Sequence, residues 1–303
     1  KRGRDRAKQR AGESAAAEVE SGMVVGLGTG STAAAAIRRL GERVGAGLDI
    51  EGVPTSHQSR ALAREVGIPL TSLAAATPDV AIDGADQVAD GDLVKGGGGA
   101  HAREKVVDSA ADRLVVVVDA QKESNVLDHP VPVSVLPAAE PTVTAAVAER
   151  GGEPTLRAAE QKDGPVVTDN GNLILDCAFG GIDEPASLAA DLDAVPGVVA
   201  HGLFVGLADV VHVGHTDGVD VDAVTPRERS FSRPAADRSY TGLPSQGGEC
   251  LRGLACGLEM LAGTAWVSVA AARLLNVARV RVRDARAAPR SLSSVDGETS
   301  APE

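Results

Sequence analysis

A chain of 303 residues, 43% hydrophobic and 24% charged, has the material for one or two globular domains, which excludes disorder and fibrous repeats as overall classes. Its formal net charge of −12 argues against nucleic acid as a partner. The longest apolar run, Leu261 to Ala272, is too short to cross a bilayer and meets Arg273, so no membrane partner is expected.

The chain opens with six Lys or Arg in ten residues, Lys8 among them, but Glu13, Glu18 and Glu20 follow in place of the apolar core of a signal peptide, which predicts a cytoplasmic protein. Met23 to Leu27 reads as a strand closed by Gly28, and Ala33, Ile37, Leu40 and Val44 recur at helical spacing over Ser31 to Val44. A strand at Ile50 to Val53, a helix over Ser56 to Val66 and a buried strand at Val80 to Ile82, ending at Asp83, come next. Leu93 and Val94 lead into Lys95 in the same manner; a helix over Ala102 to Asp112 and the Val-rich strand Leu114 to Val118 follow. Strands alternating with helices predict a doubly wound, parallel α/β sheet.

From Pro130 the pattern changes. Val131 to Leu136, a helix near Val143 to Glu149, a strand near Thr155, a helix near Pro185 to Leu192 and a strand at Val198 to Phe204 predict a small split βαβ, α+β domain over 130–204. Asn170-Gly171, between Val166 to Thr168 and Leu173 to Cys177, predicts a hairpin. Val210 to Val213 reads as a strand returning to the first sheet, which assigns 1–129 plus 205–225 to the first domain. Residues 226–303, with 11 Arg, no Lys and 8 acids, lose the periodicity and read as an atypical, poorly ordered extension. Only six lysines occur in the whole chain, and acid excess with little Lys is the composition of a protein kept hydrated at high salt. Cys177, Cys250 and Cys256 form no CxxC pair, so neither a disulfide framework nor a metal site is expected.

Four polar or Gly-rich clusters each follow a predicted strand: Gly28 to Thr32, Asp83 to Asp86, Lys95 to Gly99, and Asp119 to Lys122. Ligands of open α/β sheets bind beyond the carboxyl ends of the strands, so these clusters are expected to share one crevice. Gly28-Thr29-Gly30-Ser31-Thr32 opens a helix, where unpaired N–H groups and hydroxyls suit a phosphate. A dinucleotide site is the rival, for which Glu51 is the available acid, but Gly26-Leu27-Gly28-Thr29-Gly30 misplaces the third glycine of GxGxxG. Asp83 and Asp86 read either as turn caps or as groups exchanging protons with substrate hydroxyls. Lys95 before four glycines makes an oxyanion cradle. Glu104 reads alone as a solvated helix charge and, beside the Gly run, as a base. His101 reads as a partly exposed helix-start histidine, and Lys122 as a phosphate partner or a surface lysine.

Taken together, Val25 to Thr32, Asp83-Gly84-Ala85-Asp86, Lys95-Gly96-Gly97-Gly98, Arg103-Glu104-Lys105, Asp119 to Lys122 and Thr168 to Asn172 resemble ribose-5-phosphate isomerase of the A type, over about Lys8 to Val219. The resemblance implies a Rossmann-like domain beside a smaller ferredoxin-like α+β domain. It also implies a cofactor-free aldose-ketose isomerase of the pentose phosphate pathway, and a homodimer or homotetramer. It makes Glu104 the proton acceptor, Asp83 the residue of ring opening and hydroxyl exchange, and Asp86 and Lys95 substrate contacts. Thr29, Gly30, Ser31, Thr32, Gly84, Ala85, Gly96, Gly97, Gly98 and Lys122 become binding-loop residues and Lys8 the phosphate-side lysine. An amino-sugar phosphate isomerase or deaminase, and a sugar-phosphate sensor without catalysis, are the alternatives. The resemblance gives no role to Cys177, to Phe179-Gly180-Gly181 or to residues 226–303.

Overall fold

The computed structural model describes residues 1–225; the extension expected at 226–303 lies outside the described residues. In chain order come α1 (Arg2–Ala17), β1 (Val24–Leu27), α2 (Ser31–Gly45), β2 (Glu51–Pro54), α3 (His57–Glu65), β3 (Val80–Gly84), β4 (Gln87–Ala89), β5 (Asp92–Val94), α4 (His101–Ala110) and β6 (Arg113–Asp119). After them follow β7 (Val131–Val135), α5 (Glu140–Glu149), β8 (Glu153–Leu156), β9 (Leu173–Ala178), α6 (Pro185–Asp193), β10 (Val198–His201), β11 (Leu203–Phe204), β12 (Val210–Gly214) and β13 (Val219–Ala223).

The main sheet runs β13-β12-β6-β3-β1-β2 and is parallel except for β13, which pairs antiparallel with β12. Its inner strands β1, β6 and β12 are short, Val-rich and buried on both faces, as a parallel sheet covered by helices requires. The chain leaves β1 through α2 toward β2, then returns to the other side of β1 as β3, so the β1/β3 boundary is a topological switch point. The Gly28 turn and the Asp83 turn both sit there. Val210 to Val213 does return to this sheet, pairing with β6.

The basic N-terminal segment, read above only for its charge, is α1. It buries Ala7, Ala11, Ala15 and Ala16 against α2, β6 and β12, a stripe at helical spacing small enough for close backbone approach. Glu51 begins β2 in register with Val24, at the opposite end of the strands from the Gly28 turn. Three residues of strand, roughly 10 Å, separate it from where a dinucleotide ribose would lie, so the rival reading of that turn loses its acid.

Two of the expected elements change character. Leu93 and Val94 belong not to the parallel sheet but to an antiparallel ribbon, β11-β5-β4. The expected strand Val198 to Phe204 is divided at Gly202 into β10 and β11, which join different sheets. Gly202 donates to Pro132 O at 2.7 Å and accepts from Lys95 N at 2.8 Å, so the break ties the two layers beside Lys95.

The four-stranded antiparallel sheet, β10-β7-β9-β8, packs α5 and α6 over Val131, Val133, Val135, Leu175 and Cys177, with Leu192 of α6 in the same core. The hairpin expected at Asn170-Gly171 is only a local turn, closed by Gly171 N to Thr168 O and Thr168 N to Asn172 O, each 2.9 Å. Both edges of β9 are taken by β7 and β8, so Val166 to Thr168 does not pair with it, and Val166 N donates instead to Arg157 O just after β8. Cys177, which no motif explained, is core: burial pushes its thiol up to about 12 and leaves it inert.

Candidate active site

One cavity of ≈ 240 Å³ is lined by Lys8, Thr29, Gly30, Ser31, Thr32, Gln58, Gly84, Ala85, Asp86, Lys95, Gly96, Gly97, Gly98, Glu104 and Lys122. All four strand-end clusters contribute to it. Of the predicted site residues only Asp83 is absent from the wall, because it is buried directly behind Lys95.

Asp83 is the penultimate residue of β3, and its Oδ1 accepts from Thr29 N at 3.0 Å and from Gly84 N at 2.7 Å. It is therefore both a turn cap and an anchor. A Cβ at Gly28 would overlap the Asp83 carboxylate, so the glycine is required there by close approach. Asp83 Oδ2 lies 3.1 Å from Lys95 Nζ, which is 3.3 Å from Glu104 Oε2 and also donates to Gly84 O.

Glu104 is not a solvated helix charge; it is 4% exposed. The helical period puts His101, Glu104 and Asp108 on one face of α4, and all three are buried. A buried face this polar is not built for packing. Burial, together with the Asp83 carboxylate, lifts Glu104 to about 8 against the pull of Lys95. Burial and Asp83 also hold Asp108 well above the usual carboxylate range. For Lys95 burial alone would lower the pKa, but Asp83, Glu104 and Asp108 outweigh it and the ammonium is held above the ordinary lysine range. The cluster thus keeps a fixed cation beside a carboxylate whose proton is exchangeable near neutrality.

His101, expected at the surface, is fully buried. Burial, then the charges of Lys105 and Arg157, lower it to about 3, so the ring is neutral. It packs under Gly96, whose φ is 107° and whose missing Cβ would meet the imidazole. Gly97 N donates to Asp86 Oδ2 at 2.7 Å, which turns that peptide toward the cavity.

At the far end of the wall, Lys8 Nζ donates to Ser31 Oγ at 3.0 Å over the first turn of α2. Lys122, from the short helical turn after β6, is half-buried on the same wall. Thr29 Oγ1 bonds Thr55 Oγ1 at 2.8 Å and Ser56 Oγ at 2.7 Å, joining the first loop to the start of α3. Gln58, in the first turn of α3, was not anticipated; a lone polar residue one turn into a helix carries no local signal. The Thr168 to Asn172 turn acquires a place as well. Asp169 Oδ2 accepts from His57 N at 2.8 Å at the start of α3, and Asn170 Oδ1 accepts from Arg103 Nε at 2.7 Å.

The model of the family ribose 5-phosphate isomerase A (phosphoriboisomerase A) matches residues 51–218. The chain is 71% identical to the ribose-5-phosphate isomerase A of Natronomonas pharaonis over 219 residues, covering 72% of this chain and 97% of that protein. The chain belongs to the ribose 5-phosphate isomerase A family. The enzyme of Haloarcula marismortui is 67% identical over 219 residues, 72% of this chain and 96% of that one. Among solved structures, ribose 5-phosphate isomerase A from Methanocaldococcus jannaschii superposes with a TM-score of 0.69 at 43% identity, over 71% of this chain and 97% of that chain. A D-ribose-5-phosphate isomerase in complex with phospho-erythronic acid gives 0.71 at 41% identity, over 73% and 99%. Among the described residues no helix is long and apolar enough to cross a membrane.

Proposed function

We propose that the chain interconverts D-ribose 5-phosphate and D-ribulose 5-phosphate through an enediolate, with Glu104 moving the proton between C2 and C1. The observation that carries this reading is the Glu104–Lys95 pair at 3.3 Å on the wall of one small cavity, beside Gly96 to Gly98. A hydrogen next to a carbonyl becomes removable only when the oxygen that gains charge is stabilised. The Glu104 carboxylate takes the C2 hydrogen as a proton, and the C–H electrons pass into the C1–C2 bond as the carbonyl electrons move onto O1. Lys95 and the Gly98 N–H meet that charge. Glu104 returns the proton to C1, O2 loses its own proton to become the ketone, and O1 gains one.

The role in ring opening and hydroxyl exchange implied for Asp83 falls in this reading to the Asp83–Lys95 pair, with the ammonium as the group that meets the sugar. Asp86 faces the substrate hydroxyls. Lys8, Ser31, Thr32, Lys122 and the α2 N-terminus hold the phosphate, whose dianion suits two lysines and a positive dipole end. The solved relative that binds phospho-erythronic acid supports a sugar-phosphate ligand of this size. Assembly as a homodimer or homotetramer and a cytoplasmic location belong to the same reading.

The test is incubation with ribose 5-phosphate in deuterated water plus a chelator. Deuterium is expected in the recovered sugar phosphate, and Glu104→Gln, which keeps shape but removes the base, is expected to lower turnover by about 10³-fold. Near-native turnover by Glu104→Gln defeats the assignment. Turnover of glucosamine 6-phosphate in place of ribose 5-phosphate, or tight binding without exchange of the C2 hydrogen, replaces the reading with one of its rivals.

A further inference from the structure

Arg157 directly follows β8 and belongs to none of the motifs. Its Nη1 donates to Gly96 O at 3.0 Å and to Gly97 O at 3.1 Å. The guanidinium is itself held by Asp176 on β9, Nε donating to Oδ2 at 2.8 Å and Nη2 to Oδ1. The backbone on either side is fixed too, Arg157 N donating to Ile174 O and Val166 N to Arg157 O, each at 2.9 Å.

In a trans peptide the carbonyl and the next N–H point in opposite directions. Holding Gly96 O therefore turns Gly97 N–H to the other side, where it meets Asp86 at 2.7 Å. Holding Gly97 O likewise turns Gly98 N–H away from the guanidinium. Glycines have no side chains with which to fix their own peptide planes; Gly99 N–H also holds Gly96 O, at 2.9 Å, while Nη1, donating to both carbonyls, adds the hold on Gly97 O. A cation at the carbonyl end also polarises both peptides and strengthens the opposite N–H donors.

We propose that Arg157, locked by Asp176, is a positioning residue that fixes the glycine peptides so that Gly97 N–H holds Asp86 and Gly98 N–H is aimed at the enediolate oxygens. Through it the four-stranded sheet reaches the reacting carbons without touching them. The inference rests on the isomerase reading, and its test separates the two.

The measurement is ribose 5-phosphate kinetics together with inhibition by phospho-erythronic acid, whose planar carboxylate places negatively charged oxygens at the end of the chain where the enediolate carries its own on C1 and C2. Arg157→Met, Arg157→Lys and Asp176→Asn are compared with the unaltered chain. Loss of oxyanion alignment is expected to lower kcat of Arg157→Met by about 10- to 100-fold. Its KM stays within about threefold, the pattern of a contact made in the transition state. Affinity for the acid falls by the same factor as kcat, and Arg157→Lys, which can still reach one carbonyl, recovers part of both.

Unchanged kcat and inhibitor affinity in folded Arg157→Met overturn the proposal, as does a rise in KM alone. Should Arg157→Met not fold, Asp176→Asn, which frees the guanidinium without deleting it, decides by the same two readouts. An unaltered chain that turns over no ribose 5-phosphate defeats the isomerase reading, while inhibitor affinity across the variants still decides how the N–H groups are aimed.

Discussion

The four-stranded sheet and the strand ends of the parallel sheet are both well buried, but they bury opposite things. The first encloses Val133, Val135, Leu175 and Leu192 and keeps its interior apolar. The second encloses Asp83, Lys95, Glu104 and Asp108, each under 5% exposed, with a single ammonium among three carboxylates. Burial of apolar area stabilises a fold, whereas burial of charge costs free energy that the fold must supply from elsewhere. One region is therefore the source of stability and the other is where it is spent, and substitutions in the two should separate cleanly.

The largest effect is expected from Lys95→Met. In the proposed reading it removes the cation that meets the enediolate, and kcat/KM for ribose 5-phosphate should fall by about 10³-fold. A loss under tenfold would move the oxyanion site elsewhere. Leu175→Ala, in the apolar region, should do the reverse: chemical denaturation should show a loss of about 2–5 kcal/mol, as for other buried leucines, with kcat unchanged where the protein stays folded. If Lys8 holds the phosphate as proposed, Lys8→Ala removes that contact equally from ground and transition states, so KM should rise about tenfold with kcat nearly unchanged. A fall in kcat instead would tie α1 to the chemistry.

Two pH effects sharpen the same contrast. As the proposed base Glu104 must be ionised, and its raised pKa should place the acid limb of the kcat/KM profile near neutrality, above the ordinary value of about 4.3. An acid limb near 4 would show that Lys95 dominates. The stability sign follows from the same shift. A carboxyl with a raised folded pKa favours the fold below its unfolded pKa, and that contribution is lost as pH rises through the folded value. Glu104→Gln should accordingly gain melting temperature relative to the unaltered chain at pH 9 but not at pH 4.

How much of this could be read from sequence depends on whether a requirement is local. A glycine that must clear Asp83, a carboxylate at a strand end, and a lysine before a glycine run each leave a mark within a few residues, so the four clusters and the parallel sheet were legible. The burial of His101 was not, because a helix start looks the same whether solvent or a glycine backbone lies above it. Asn170-Gly171 is a turn in both readings, but only the pairing of β9 with β7 and β8 shows that no hairpin can form. Arg157 and Gln58 reach the site from just after β8 and from α3, where the local patterns concern other neighbours. Their relevance exists only once the chain is folded.

The alanine stripe of α1 couples two properties usually tuned apart. Ala11 rests on the sheet with no exposed surface, one helical turn from Lys8, whose ammonium reaches Ser31. Each methyl group in that seam acts as a shim that sets the height of the lysine. Ala11→Val would lift the helix and loosen the grip on an anion through a side chain that bears no polar atom.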